Sequence, residues 1–334
     1  MLAPDAPGEP LVVLDLPSAP PVTRGVAAPV RRPKPPAVAL GVLGVLLVVG
    51  PIVGGLFSKV ASGKQMIDRF APHMEADALA RYRTDVATLR HAAGAIGVIY
   101  AQQQVTAGRF PGVDAYRAQA GAIDQRASAL LDRVTAAQPD YRRTAAIGGF
   151  DRIPFLVVLY GTAAIYAACI LLFGGRGRAR SAVAVVVLVS VALAVYPFVS
   201  DLNRGTQAGE RMLHRFSPFM THGEVRQLQS DFVVLVTAVG ELDTGFRAVP
   251  QSGPPAADVA ALVDGWPRIS SDLASLVGTI NDNIGNFNAL DDLDTLTRSV
   301  GLSGLPGFPW LLVGVGALGA TLAVAAAPRR RKET

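Results

Sequence analysis

The residues best suited to coordination chemistry are four methionines, Met66, Met74, Met212 and Met220, with His73, His214 and His222 close to them in sequence. Thioethers and imidazoles together are soft ligands of the kind that hold copper. All four methionines fall in two related segments, GKQMIDRFAPHM at 63–74 and GERMLHRFSPFM at 209–220. Gly63, Met66, Arg69, Phe70, Pro72 and Met74 recur as Gly209, Met212, Arg215, Phe216, Pro218 and Met220, whereas His73 stands opposite Phe219 and His214 opposite Asp68. A ligand set belonging to the repeated unit would recur with it. The methionines are therefore read as flexible side chains filling irregular gaps in a core, and no metal or cofactor is expected.

Other chemistry has less support. Arg69 and Arg215, each beside a phenylalanine, suit the capping of helix-end carbonyls, with an anionic partner such as a lipid headgroup or envelope polymer as the functional alternative. Asp291, Asp292 and Asp294 read as a solvated loop and not as a cation site. Cys169 is the only cysteine and lies in an apolar run, so neither an intrachain disulfide nor a CxxC pair exists. No serine or cysteine has an identifiable base, and no phosphate-binding Gly-x4-Gly-Lys-Ser/Thr loop occurs. The expectation is a protein that is not an enzyme.

The positioning elements are easier to read. Of 334 residues half are apolar and 17% charged, with a mean hydropathy of +0.35. Four runs, 37–57, 153–173, 182–199 and 309–327, contain no Asp, Glu, Lys, Arg or His. Each approaches the roughly 20 residues that cross a ~30 Å hydrocarbon core. Arg31, Arg32 and Lys34 precede the first, Arg176, Arg178 and Arg180 lie between the second and third, and Arg329 to Lys332 follow the fourth. The positive-inside rule then places both termini and the loop 174–181 in the cytoplasm, with 58–152 and 200–308 outside. Phe155, Tyr196, Phe198, Phe308 and Trp310 form interfacial belts. A pI near 9.6 follows from these basic flanks, and no nucleic-acid motif accompanies it. Uncharged spans argue against an ion-coupled pump. Gly50 with Gly54, and Gly316 with Ala320, have the spacing of close helix contacts. Residues 1–36 read as a proline-rich disordered tail and 328–334 as a basic tail. The alternative of a signal peptide cleaved near Ala61 is disfavoured, because the first run corresponds to the third, which must be retained.

That correspondence extends well beyond the methionine motif. A constant offset of 146 residues, Met66 to Met212, also pairs Pro51 with Pro197, Asp85 with Asp231, Leu89 with Leu235, Ile123 with Ile269 and Tyr141 with Phe287. Two spans per unit return the chain to its starting side, so the copies are parallel repeats. Between the spans, Leu79, Tyr82, Val86, Leu89, Ala93 and Ile96, then Val113, Tyr116, Ala120, Ile123, Ala127, Leu130 and Val134, follow helical spacing. The second copy repeats it from Val225 to Phe246 and from Val259 to Ile284. Thr221 to Glu224 is a capping box, and the Gly/Pro stretches 108–112 and 250–255 are turns. Each module is thus expected to be a helical hairpin, with a helix running on from the preceding span as far as Phe70 or Phe216. The first module holds thirteen basic and nine acidic residues, the second seven and thirteen. Opposite net charge favours docking of the two hairpins as one four-helix bundle.

A pair of spans bracketing an extracytoplasmic helical hairpin resembles the periplasmic part of bacterial chemoreceptor-type sensors, once per unit, without their cytoplasmic signalling coiled coil. The Ala, Val, Arg, Gly and Pro bias is similar to that of membrane proteins from high-GC bacteria. The expected fold class is all-α, with four transmembrane helices and two extracytoplasmic hairpin modules, in a multi-pass protein of the bacterial cytoplasmic membrane. The leading functional expectation is a non-enzymatic scaffold or accessory subunit of a cell-envelope complex. Its partners would be membrane lipid and another envelope or membrane protein. A ligand sensor and a channel or lipid-transfer component are the alternatives.

Overall fold

The computed structural model describes residues 35–299 and 301–327. The tail assigned to 1–36 therefore lies almost wholly outside the described residues, as does the basic tail 328–334. Among the described residues the chain is all-helical, with ten α-helices and no strand. They are α1 (Pro35–Val53), α2 (Leu56–Phe70), α3 (Ala76–Gln102), α4 (Pro111–Ala145), α5 (Ile153–Phe173), α6 (Arg176–Val199), α7 (Leu202–Phe216), α8 (His222–Thr244), α9 (Pro254–Ser299) and α10 (Phe308–Ala326). The bounds of α2 and α7 are 146 residues apart at both ends, and those of α3 and α8 at their starts.

Four helices are long and apolar enough to cross a membrane, within Pro35–Val53, Phe150–Phe173, Gly177–Val199 and Leu305–Ala326. Leu46, Ile52, Phe155, Leu159, Leu188, Val195, Trp310 and Val324 point outward, as side chains do when the surrounding solvent is lipid. The spans pair within each half, α1 with α5 and α6 with α10, and α5 also meets α6 while α1 meets α10. The closest crossing in the first half is at Gly44 and Gly161, where a Cβ on either would lie within 2.8 Å of the other's carbonyl oxygen. In the second half Gly316 crosses α6 at Ser190, the position 146 residues after Gly44. Gly316 thus packs as its spacing suggested. Gly50 and Gly54 do not: Gly50 faces open space and Gly54 meets only its own helix. Tyr160 and Ser190 share a hydrogen bond of 3.0 Å, joining α5 to α6.

The spans do not run uninterrupted into the outer helices. Pro51 and Pro197 weaken the last turn of α1 and α6 by removing a backbone donor. Four residues later Gly55 (φ 64°) and Asp201 (φ 51°) adopt the left-handed conformation and start α2 and α7 in new directions. The first span accordingly ends at Val53, short of the expected 57. At the other membrane face only Gly174 and Gly175 separate α5 from α6, so the basic residues expected in a loop begin a helix instead.

Glycine tolerates this conformation freely and aspartate at some cost. Gly55→Val is expected to lower stability by about 1–2 kcal/mol, the ordinary penalty for a left-handed side chain. Asp201→Gly is expected to be neutral or stabilising, and thermal unfolding of the detergent-solubilised variants reads both.

Candidate functional site

Outside the spans, α3 lies against α9 as well as against its chain neighbour α4, and α8 lies against α4 as well as α9. The shorter helices cross in the same sense, α2 onto α9 and α7 onto α4. The amphipathic seams drive this packing. Tyr82, Val86, Leu89, Ile96, Val113, Tyr116, Ile123, Leu235, Leu242, Leu262 and Ile269 are all buried, in two apolar clusters that each take residues from both halves. Thr221 caps α8 by accepting from the Glu224 N–H at 3.2 Å, as its sequence suggests. Pro111 and Pro254 open α4 and α9, after turns in which Gly108 and Gly253 take positive φ.

The repeated motif forms the centre of the membrane-proximal cluster. Met66, Phe70, Met74, Met212, Phe216 and Met220 are all at most 3% exposed and lie in one core. The Phe70 and Phe216 rings meet with centroids 5.7 Å apart. Gly63 lies against Leu290 of α9 and Gly209 against Thr144 of α4, positions again 146 apart. Arg69 donates to the carbonyl of Asp282 at 3.2 Å, and Arg215 to that of Ala136 at 2.8 Å. Both arginines thus reach a backbone carbonyl of the opposite half's second long helix. The expected capping of their own helix ends is not what they do, because α2 and α7 end on short turns whose backbone amides already bond the last carbonyls. Pro72 and Pro218 are exposed at the ends of α2 and α7. Pro218 lines a surface groove of about 150 Å³ with Arg126, Arg133 and Glu224.

Buried carboxylates join the halves. Arg126 of α4 grips Asp231 of α8 through two hydrogen bonds of 2.8 and 2.6 Å, and Gln227 adds a third at 3.1 Å. At the equivalent position Asp85 of α3 is fully buried, and an Arg268 guanidinium nitrogen lies 2.6 Å from its Oδ1. That nitrogen is off the hydrogen-bond direction, so Asp85 has a charge partner but no aligned donor among the described residues. Burial consequently pushes its carboxyl up, against the pull of Arg268. Asp140 of α4 is buried beneath Arg211, at 2.8 Å, and Arg215. Burial alone would raise its carboxyl, but the two arginines outweigh burial and hold it below the usual carboxylate range. The charged contacts run in both directions between the halves, with Arg126 of the first half on Asp231 and with Arg268 and Arg211 of the second on Asp85 and Asp140.

His73, the one motif histidine that is buried, bonds Tyr82 at 2.6 Å through Nδ1 and Thr279 at 2.9 Å through Nε2. Burial lowers its pKa. Both ring nitrogens are engaged by these hydroxyls. Asp291, Asp292 and Asp294 lie on α9 and not in a loop. Asp294 accepts from the Leu305 N–H and from Arg298, both at 2.8 Å, and so holds the turn leading into α10. Sequence spacing finds the repeated residues, with Asp85 and Asp231 recurring on otherwise apolar seams, but not Asp140, Arg126 or Arg268.

The chain matches no family model, and no curated protein or solved structure is significantly similar to it.

Two outcomes follow from these groups. Asp140→Asn is expected to cost about 1–3 kcal/mol near neutral pH, a buried-pair loss discounted for the half-exposed arginines. A carboxylate held below its unfolded pKa stabilises above that value, so the deficit should disappear as the wild type itself protonates at strongly acid pH. His73 has the same sign of linkage at higher pH: the unfolded imidazole takes a proton below about pH 6.5 while the buried one resists it. Stability should therefore fall between about pH 7 and about pH 5, and His73→Phe, which copies Phe219, should flatten that part of the melting profile.

Proposed function

We propose that this protein is a non-enzymatic membrane scaffold, an accessory subunit of a cell-envelope complex. In this reading its two hairpins arose by duplication and dock as one extracytoplasmic four-helix bundle held by four spans. Both termini lie in the cytoplasm. The observation that carries the proposal is the merging of both copies of the motif into a single core, with Arg69 and Arg215 each tying its helix to the opposite half. A hairpin so interlocked cannot swing independently, and it stands on short helices that follow the spans after a two-residue break. That geometry suits a rigid platform presenting a surface to a companion. One exposed face of the motif, beside Pro218 and the cation Arg133, offers a surface to an acidic segment of a partner protein.

Topology is tested in a Cys169→Ala background by single cysteines at Gly94, Gly240 and Arg178. The first two positions are exposed with free space around them, so substitution leaves packing intact. Membrane-impermeant reagent applied to intact cells should label the cysteines at 94 and 240 and spare the one at 178; labelling of only one of the first pair rejects the arrangement. For the platform, crosslinking in membranes should yield a defined companion whose capture drops by about tenfold in Arg133→Glu, with the melting temperature unchanged. Recovery of the chain alone under every crosslinking condition rejects the scaffold.

A further inference from the structure

The two halves differ at one matched place on the outer flank of the seam between α3 and α4 in the first half and α8 and α9 in the second. In the second half the rings of Phe232 and Trp266 stack there with centroids 6.1 Å apart. The positions 146 residues earlier are Val86 and Ala120. Beside them Ala93 and Ala127 stand where the second half has Val239 and Leu273. Four apolar side chains are thus smaller on one side, at positions that lie on helices in both halves. What results is a half-open apolar groove of about 120 Å³ floored by the ring of Tyr116.

The rim differs as well. Arg90 and Asp124 border the groove, where the second half has Val236 and Ser270. They form a hydrogen-bonded pair, Arg90 Nε to Asp124 Oδ1 at 2.9 Å, and Arg90 also donates to Ser128 at 3.2 Å. The pair is neutral as a unit, so it offers polar atoms without a net charge to neutralise. Tyr116 donates its hydroxyl to the Leu89 carbonyl at 2.6 Å, which fixes the floor ring in place.

We propose that this groove is a binding slot for one small, uncharged, single-ring aromatic molecule of the phenol type. The space matches such a ring in scale, since an apolar cavity near 150 Å³ accepts benzene. The second half shows what the frame accommodates there, an aromatic ring stacked on another. The Tyr116 ring supplies an offset or edge contact of the kind aromatic pairs favour. A hydroxyl on the ligand's edge donates to Asp124, whose carboxylate can accept more than the bond from Arg90.

The experiment uses the full-length chain in detergent, with phenol as probe and cyclohexanol as a control of similar size lacking the aromatic ring. Thermal unfolding should rise with phenol along a saturable one-site curve, because a ligand bound only by the native state stabilises by mass action. Cyclohexanol should give a markedly smaller shift. Val86→Phe with Ala120→Trp, which copies the second half, should abolish the saturable shift. If that pair fails to fold, Ala127→Leu should weaken binding by at least about tenfold, the effect of filling an apolar pocket. In the opposite direction, Phe232→Val with Trp266→Ala should create a second phenol site. The proposal is overturned by a wild-type shift that never saturates, or by a shift unaltered in the pair and in Ala127→Leu, either of which marks partition into detergent. It is overturned equally if Gly121→p-benzoylphenylalanine, at the groove's exposed edge, crosslinks to a second copy or another protein in membranes, since the groove would then be a protein interface.

Discussion

Everything outside the membrane depends on how a short helix leaving each pair of spans meets the long helix of the other half. The contact is apolar at its centre, with Phe70 on Phe216 and the methionines around them, and polar at its edges, where Arg69 and Arg215 each take a carbonyl of the opposite helix. The combination restricts the structure more than either part would. Methionine fills whatever space is left and specifies little on its own. A guanidinium donating to one particular carbonyl fixes the helical register, because sliding by a residue moves the acceptor around the helix. The apolar centre thus supplies the attraction and the two arginines supply the alignment.

A buried carboxylate beside this contact must be satisfied or it costs more than it returns. The halves solve this in unequal ways. Asp231 receives two aligned bonds from Arg126 and a third from Gln227. At the matched place Asp85 has Arg268 approaching from one turn away, while the position equivalent to Arg126 is Asp272, itself an acid. The same backbone frame therefore holds a relaxed ion pair on one side and a frustrated one on the other. His73, Tyr82 and Thr279 show the same divergence: they form a hydrogen-bonded chain where Phe219, Leu228 and Arg133 leave a surface groove. A frame with matched positions does not require the same polar residues in both halves, and these positions are where the two differ.

How much of this was legible depends on what local sequence can encode. Helices and spans were plain, because Leu79 to Ile96 and Val225 to Phe246 carry the helical period and the spans carry no charge at all. The motif was plain because its residues occur twice. What the period cannot encode is the partner: a seam containing Tyr82 and Leu89 fits α4 or α9 equally, and contact with both follows from the three-dimensional arrangement. The span boundary was misjudged for a related reason. Phe57 is as apolar as the span, and only the conformation of Gly55, mirrored at Asp201 where no glycine gives warning, shows where the helix turns. Gly44 and Gly161 escape a spacing search because neither has a small residue four positions away on its own helix, where Leu40 and Val48, and Val157 and Ile165, stand; each is small only in relation to the other. Gly50 and Gly54 had the expected spacing and faced away.

The unequal filling of matched positions also bears on what each half of the chain contributes. Two identical halves would bury identical cores, and neither would need a cavity. Here the half with Phe232 and Trp266 is closed by its own side chains, while the half with Val86 and Ala120 is left open beside a fixed tyrosine ring. Unfilled apolar space costs stability in proportion to its volume. The filled half sits against the open one through α3 with α9 and α4 with α8, so the frame around the groove is held by contacts remote from it. A groove maintained in this way does not depend on an occupant for its shape.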